Sequence, residues 1–248
     1  MKSRQLLFRA LATTLISAAA ISPVHAAGGA WDWAVAPYLW GTEITTDTQV
    51  RGEPVATETE FSDIIDKLDF AFQIHAEGQG DQFGLMTDFT YLSLSDDSNR
   101  DNLSLDASMD TTIFELAAVW SPGDERFTGF EAFAGLRYLS AEVDMKFDFD
   151  NPALPDQRRT LEKSFTDAMI GARYTAKLNE SWGMTVRGDG SFGDTEGGFN
   201  TSAILQYQMS RGVLAFGYRY MAIDLETGAG EAVDLVMSGP IVGFVSRF

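Results

Sequence analysis

The stretch Gly212-Val213-Leu214-Ala215-Phe216-Gly217-Tyr218-Arg219-Tyr220 alternates without a break. Leu214, Phe216, Tyr218 and Tyr220 fall on one side of an extended chain, with Gly217 and Arg219 on the other. Successive side chains of a strand point to opposite faces, so this period of two belongs to a strand with one apolar face and one polar face. Two neighbouring stretches repeat the pattern. Trp182, Met184, Val186 and Phe192 oppose Arg187, Asp189 and Ser191, and Phe130, Ala132, Ala134, Leu136 and Tyr138 oppose Glu131, Gly135 and Arg137.

Working outward, ten such segments cover the chain: Trp31 to Thr46, Leu68 to Gly78, Gln82 to Ser95, Asn102 to Trp120 and Phe127 to Asp148, then Leu161 to Leu178, Trp182 to Asp194, Phe199 to Met209, Gly212 to Glu226 and Ala232 to Phe248. Short turns are expected at Gly78–Asp81, Ser121–Asp124, Asn179–Ser181 and Ser210–Gly212. Longer links run from Asp47 to Lys67, Asp96 to Asp101 and Phe149 to Thr160, with shorter ones near Glu196 and Gly228. Short turns at one end and longer loops at the other are the asymmetry of bacterial membrane barrels, and an even strand number puts both termini at the short-turn end. Eight strands are the alternative count if the last outer segments pair differently. A soluble β-sandwich would also alternate, but with its apolar faces turned inward on a two-sheet core. Strand length and the aromatic residues near strand ends (Trp31, Trp33, Trp120, Trp182, Tyr207) point instead to an all-β, single antiparallel transmembrane barrel.

The amino terminus has another character. Lys2, Arg4 and Arg9 precede an apolar run from Leu11 to Ile21, and Pro23-Val24-His25-Ala26-Ala27 offers a small-residue cut after a helix breaker. This is the layout of a secretory signal peptide over residues 1–26, which leaves residues 27–248 as one barrel domain. The apolar run is short for a spanning anchor, and no later stretch approaches ~18 consecutive apolar residues. Removing residues 1–26 takes away three cations and no acids, so the net charge of −18 becomes −21. Such acidity excludes nucleic acid as a partner, because phosphate binding needs clustered Lys and Arg. There are no cysteines, which removes thiol catalysis and thiolate metal sites, and a closed ladder needs no disulfide staple.

Candidate chemistry lies on the polar face. Gly-x-Arg-Tyr occurs three times, at Gly135–Tyr138, Gly171–Tyr174 and Gly217–Tyr220. In each copy alternation turns Gly and Arg inward and Tyr outward. The inward glycine is expected to leave room for the long guanidinium. With Arg187, the arginines Arg137, Arg173 and Arg219 supply four inward cations. The inward acids are Asp88, Glu115, Glu131, Asp167 and Asp189, with Asp32, Glu77 and Asp234 as further possibilities. A ten-stranded barrel is only slightly wider than the eight-stranded type that side chains can fill. Buried charges must pair, so opposed arginines and carboxylates are expected to close the lumen. The alternative is a narrow pore whose charged rings select ions or small solutes.

His75 is the only histidine after residue 26, and Glu77 shares its face. The pair is the only nucleus for an enzyme, such as an outer-membrane lipid-modifying barrel. Yet no Gly-x-Ser-x-Gly occurs, no second histidine stands by, and the paired acidic elements of omptin-type proteases are missing. A satisfied polar partner is the reading taken, with no catalytic residue, cofactor or metal expected. The outer loops are acidic (Asp47, Glu53, Glu58, Glu60, Asp63, Asp96, Asp97, Asp101, Asp150, Asp156) but lack EF-hand spacing, so a solvated surface is expected before a divalent-cation site.

Several stretches resemble a family of proteobacterial outer-membrane β-barrel proteins described as porin-like or uncharacterised. They are Trp33 to Trp40 with Pro37-Tyr38 inside it, Phe61 to Phe72, Asp88 to Ser95, Gly217 to Tyr220 and Ser238 to Phe248. The resemblance implies an outer-membrane location, lipid as solvent and a terminal Phe248 read by the barrel-assembly machinery. Ser246 departs from the apolar residue usual in that signal. Pro240 lacks a ladder donor, so a weakened or bulged last strand is expected there.

Overall fold

The computed structural model describes residues 31–50, 53–59, 61–100, 103–123, 125–149, 157–226 and 232–248. The leader expected over residues 1–26 lies outside them. In chain order the elements are β1 (Asp32–Trp40), β2 (Glu43–Val50), β3 (Glu53–Thr59), the short helix α1 (Phe61–Asp66), β4 (Leu68–Gln79), β5 (Phe83–Arg100), β6 (Leu103–Trp120) and β7 (Gly129–Phe149). They continue as β8 (Gln157–Lys177), β9 (Trp182–Gly193), β10 (Gly197–Met209), β11 (Gly212–Glu226) and β12 (Ala232–Arg247). Each strand from β4 onward pairs antiparallel with the next, and β12 returns to β1, so the sheet closes. The result is a ten-stave barrel.

Twelve strands make ten staves because the first two staves are interrupted. β1 and β2 are two halves of one stave, both paired with β12 in a single register. The gap between them falls at Gly41-Thr42 and has a cause on the neighbouring strand. Gly41 N–H donates to the Pro240 carbonyl at 2.8 Å, but Pro240 has no N–H to return. The pairing of β12 with β11 runs through Pro240 without a shift. The expected weakening therefore appears in the first stave, not as a bulge in the last.

The second stave is β3 and β4, separated by α1. The helical turns expected near Phe61 are present, and buried Ile64 anchors them. The loop expected from Asp47 to Lys67 is corrected, since β2 continues to Val50 and β3 returns along it. The link expected from Asp96 to Asp101 is likewise corrected, because β5 runs to Arg100 and β6 begins at Leu103.

Side chains alternate as the pleat requires. The outward face is an apolar band in which Ile170 is 62% exposed and Phe192 61%. All five aromatic residues expected near strand ends stand on the short-turn rim, where Trp182 packs on Tyr207 at 4.9 Å between ring centroids. A second aromatic tier includes Tyr91 and Phe192, eight and ten residues along their strands from Phe83 and Trp182. At ~3.3 Å per residue and ~40° of tilt that is about 20–25 Å of height. β5 to β8 run 18 to 21 residues and rise well above this tier, whereas β9 and β10 have 12 and 13.

Candidate lumen site

The inward face has two storeys. The lower one, toward the short turns, is ionic, and its residues come from nearly every stave. Glu131 is fully buried, Glu115 is 1% exposed and Arg137 2%. Glu115 on β6 is the hub. Its Oε1 accepts from Arg137 Nε at 3.0 Å and from Arg219 Nη2 at 3.1 Å, and its Oε2 accepts from Arg187 Nη2 at 2.8 Å. Asp189 ties the other ends together, receiving Arg187 Nε at 2.8 Å and a short bond from Arg137. Arg219 also approaches Asp88 at 3.5 Å.

A second cluster lies closer to the short-turn rim. Arg173 sits between Glu131, at 2.6 Å, and Glu77, to which it makes a short bond. His75 links the clusters, its Nδ1 3.3 Å from Asp88 and its Nε2 3.4 Å from Glu77. Both ring nitrogens thus face carboxylates, and the His75–Glu77 pair is a bridge in the charge network.

Of the charges singled out in the sequence, Arg137, Arg173, Arg187, Arg219, Asp88, Glu115, Glu131 and Asp189 come together here, joined by Glu77. Asp167 does not join them. It is buried, but its carboxylate accepts from Ser191 Oγ at 3.1 Å, Thr195 Oγ1 at 2.6 Å and Thr195 N at 3.1 Å, anchoring the turn before β10. Asp32 lies at the mouth with its side chain 57% exposed, paired with Arg126 at 3.1 Å. Asp234 is exposed on the outward parity of β12. Phe248 exchanges two backbone hydrogen bonds with Trp33, at 2.8 and 3.0 Å, and so completes the closing ladder.

Neutral members of the lattice were not anticipated. Tyr38 donates to Asp88 at 2.7 Å. Asn200 donates to Asp189 at 2.7 Å and accepts from Arg219 Nε at 2.9 Å. Gln79 donates to Glu77 at 2.6 Å and to Glu131, while its oxygen accepts the N–H of Phe127 at 2.6 Å. Phe127 has a positive φ of 57°, a left-handed conformation costing about 1–2 kcal/mol. Its bond to the lattice helps hold that turn under the barrel. A signal was available for Gln79 and Tyr38, which share strand parity with Glu77 and Asp32; β10 carries no charged residue, so Asn200 had none.

The Gly-x-Arg-Tyr glycines act differently from expectation. A side chain at Gly135 would meet the Leu116 carbonyl oxygen at 2.0 Å, and one at Gly217 the Ala203 oxygen at the same distance. These two permit close approach of neighbouring strands. At Gly171 a Cβ would meet the Phe133 ring at 2.5 Å, and that ring carries the Arg187 guanidinium 4.9 Å above it. Only this third glycine makes room for an arginine, and it does so through an aromatic platform.

The upper storey is apolar. Trp40, Ile113, Leu139, Met221, Ile223, Met237 and Ile241 form one buried cluster, with Phe165, Leu225 and Leu235 packed against it. Trp40 is the partition, because Arg219 lies 4.7 Å from its ring centroid. Above it is a cavity of about 210 Å³.

Outside the band, Asp144 accepts from Arg158 at 2.8 Å and from Thr160, which holds its carboxyl below the usual aspartate range. Asp96 pairs with Lys67 at 2.9 Å. Among the described residues no group of three acidic or histidine side chains is placed to hold a metal. Most of the acidic loop side chains fall outside those described.

No protein-family model matches the chain, and no curated protein matches it. Solved structures similar to it include the translocator domain of autotransporter NalP from Neisseria meningitidis, at 13% identity and TM-score 0.44, covering 99% of this chain and 98% of that one. The outer membrane protease OmpT from Escherichia coli has 8% identity and TM-score 0.44, covering 88% and 97%. The attachment invasion locus protein Ail of Yersinia pestis, solved with sucrose octasulfate, has 8% identity and TM-score 0.35, covering 88% and 98%. Likeness at this level does not extend to function.

Proposed function

We propose that this chain is an integral outer-membrane barrel with a structural or surface-interaction role, its lumen closed to solutes by Arg–carboxylate pairs. The observation that carries the reading is the convergence of Arg137, Arg187 and Arg219 on buried Glu115, which crosses the barrel between staves that are not neighbours. Side chains that satisfy one another across a narrow barrel leave no continuous row of free charges to conduct ions. The apolar band between two aromatic tiers supports lipid as the surrounding solvent, because only a closed ladder can present such a face without unpaired backbone groups. The long staves β5 to β8 supply the surface that would meet the exterior.

Planar-bilayer recording tests the closed lumen. Heat-modifiable, detergent-purified protein should give no discrete conductance steps, and Arg187→Ala combined with Arg219→Ala should introduce them. Steps from the unmodified protein, altered by those substitutions, would overturn closure and establish a narrow porin-like channel.

A further inference from the structure

We propose that the upper storey of the lumen is a side-opening chamber for a single-chain anionic amphiphile, its hydrocarbon tail inside and its acid group on Lys163. The chamber has a volume of about 210 Å³, and its walls include Leu92, Ile113, Leu139, Phe165 and Met237. An apolar cavity of ~150 Å³ is already large enough to stay dry and bind benzene. Trp40, with Arg219 against its ring, closes the chamber below. The chamber is therefore blind, and filling it leaves the ionic lattice sealed.

The opening follows from strand lengths. Among the described residues every stave lines the chamber except β9 and β10. β9 ends at Gly193, opposite Asp167, and β10 begins at Gly197, opposite Asp224. Phe165 and Leu225 line the chamber beyond those last pairs, so the wall between them is missing. The top of the short wall is held down. Glu196 N–H donates to the Asp224 carbonyl at 3.0 Å, and Thr195 donates to Asp167 at 2.6 Å. β8 shows the gap from its own side. Leu161 to Ser164 are exposed, whereas their partners on β7, Ser140 to Val143, are half-buried. Phe192 of the upper aromatic tier is the next-to-last residue of β9. The mouth therefore opens just above the apolar band, at the boundary where an amphiphile lies.

Charge specifies the head group. Lys163 is the exposed residue of the lining, so it marks the mouth. It is also the charged residue of that lining, and among the described residues no carboxylate pairs with it. Glu162 beside it, and Glu142 opposite Glu162, stand on the other face of the sheet. An apolar pocket with a cation at its rim suits a carboxylate or similar anion on a hydrocarbon chain.

The inference rests on the closed barrel. Heat-modifiable mobility of the same sample therefore separates its failure from failure of the barrel reading. The probe is radiolabelled octanoate, measured by equilibrium dialysis against the full barrel in phosphatidylcholine nanodiscs, with empty nanodiscs as the reference. Binding that saturates at one per chain above that reference is expected. Octanol, which has the same chain without the charge, should bind about two- to fivefold more weakly, the scale of one exposed ion pair. Lys163→Gln should bring octanoate down to the level of octanol and leave octanol unchanged. Leu139→Trp should fill the chamber and abolish binding of both. If that variant loses heat-modifiable mobility, Ala141→Leu on the same wall takes its place.

Absence of saturable octanoate binding to a heat-modifiable barrel overturns the inference. So does binding that survives the filled chamber, or octanol held by the parent as tightly as octanoate. Equal weakening of both probes by Lys163→Gln overturns it as well.

Discussion

The two storeys of the lumen are built on opposite principles although the same staves supply both. On β6, Glu115 belongs to the lower storey and Ile113, one inward position higher, to the upper. On β11, Arg219 and Met221 stand in the same relation. In the lower storey each side chain is defined by named partners and geometry. In the upper, side chains are defined by volume and are exchangeable within it. The lower storey should therefore be brittle to single changes and the upper forgiving.

The sharpest way to break the comparison is Glu115→Ala, which leaves Arg137, Arg187 and Arg219 facing one another without their shared anion. Removing one partner of a buried ion pair costs about 3–5 kcal/mol. The compact band on a semi-native gel should convert to the unfolded one at a clearly lower temperature. A midpoint unchanged from the parent would show that the lattice is incidental.

Ile170→Arg moves the test to the outward face. If that face meets hydrocarbon, the cost should be about 2–4 kcal/mol near the midplane, read from urea-dependent folding into vesicles. Tolerance of the arginine would place the band in water.

Within the upper storey, Ile113→Val should cost only about 0.5–1.5 kcal/mol by the same folding titration. A loss as large as that of Glu115→Ala would erase the distinction between the storeys.

The smallest effect concerns the rim above the band. Arg158, and after it Thr160, holds the Asp144 carboxyl low. A depressed folded pKa means that this contribution is present above the ordinary aspartate range and disappears as pH falls through the lowered value. Asp144→Asn should leave barrel melting unmoved and speed amide exchange at the ends of β7 and β8 at neutral pH. At strongly acid pH the variant and the parent should exchange alike, and a difference persisting there would count against the linkage.

The strands were legible wherever one face meets apolar surroundings, because a two-residue period then survives in the sequence. Trp182 to Asp194 and Gly212 to Glu226 nearly coincide with β9 and β11. The period fades above the band, where water wets both faces. Thr45 to Val50 carries Thr, Asp and Gln without regard to parity, so the end of β2 from Asp47 and the whole of β3 read as a loop. Which side of the sheet a charge occupies was likewise legible from parity, as at Arg137 and Glu131. Which carboxylate an arginine reaches was not, because that depends on tilt and stagger around a closed circle. Asp167 illustrates the limit: it lies opposite Arg137 in register, yet it is held by Ser191 and Thr195. The cavity had no sequence signal, since it depends on how the inward side chains of separate staves meet.

The placement of Glu115 has a kinetic consequence for how such a barrel matures. Its partner Arg137 lies on the adjoining stave, but Arg187 lies three staves away and Arg219 five. In a flat sheet, at ~4.8 Å between strands, those gaps are about 14 and 24 Å. A guanidinium on its stem covers the first only when the sheet curls, and the second only when it is nearly shut. An uncurled intermediate therefore carries solvated charge on the face that must later become the interior. Pairs within a strand or between adjoining staves form without closure, but the Arg219–Glu115 contact forms only as β1 and β12 meet, which ties that part of the lattice to the last step of assembly.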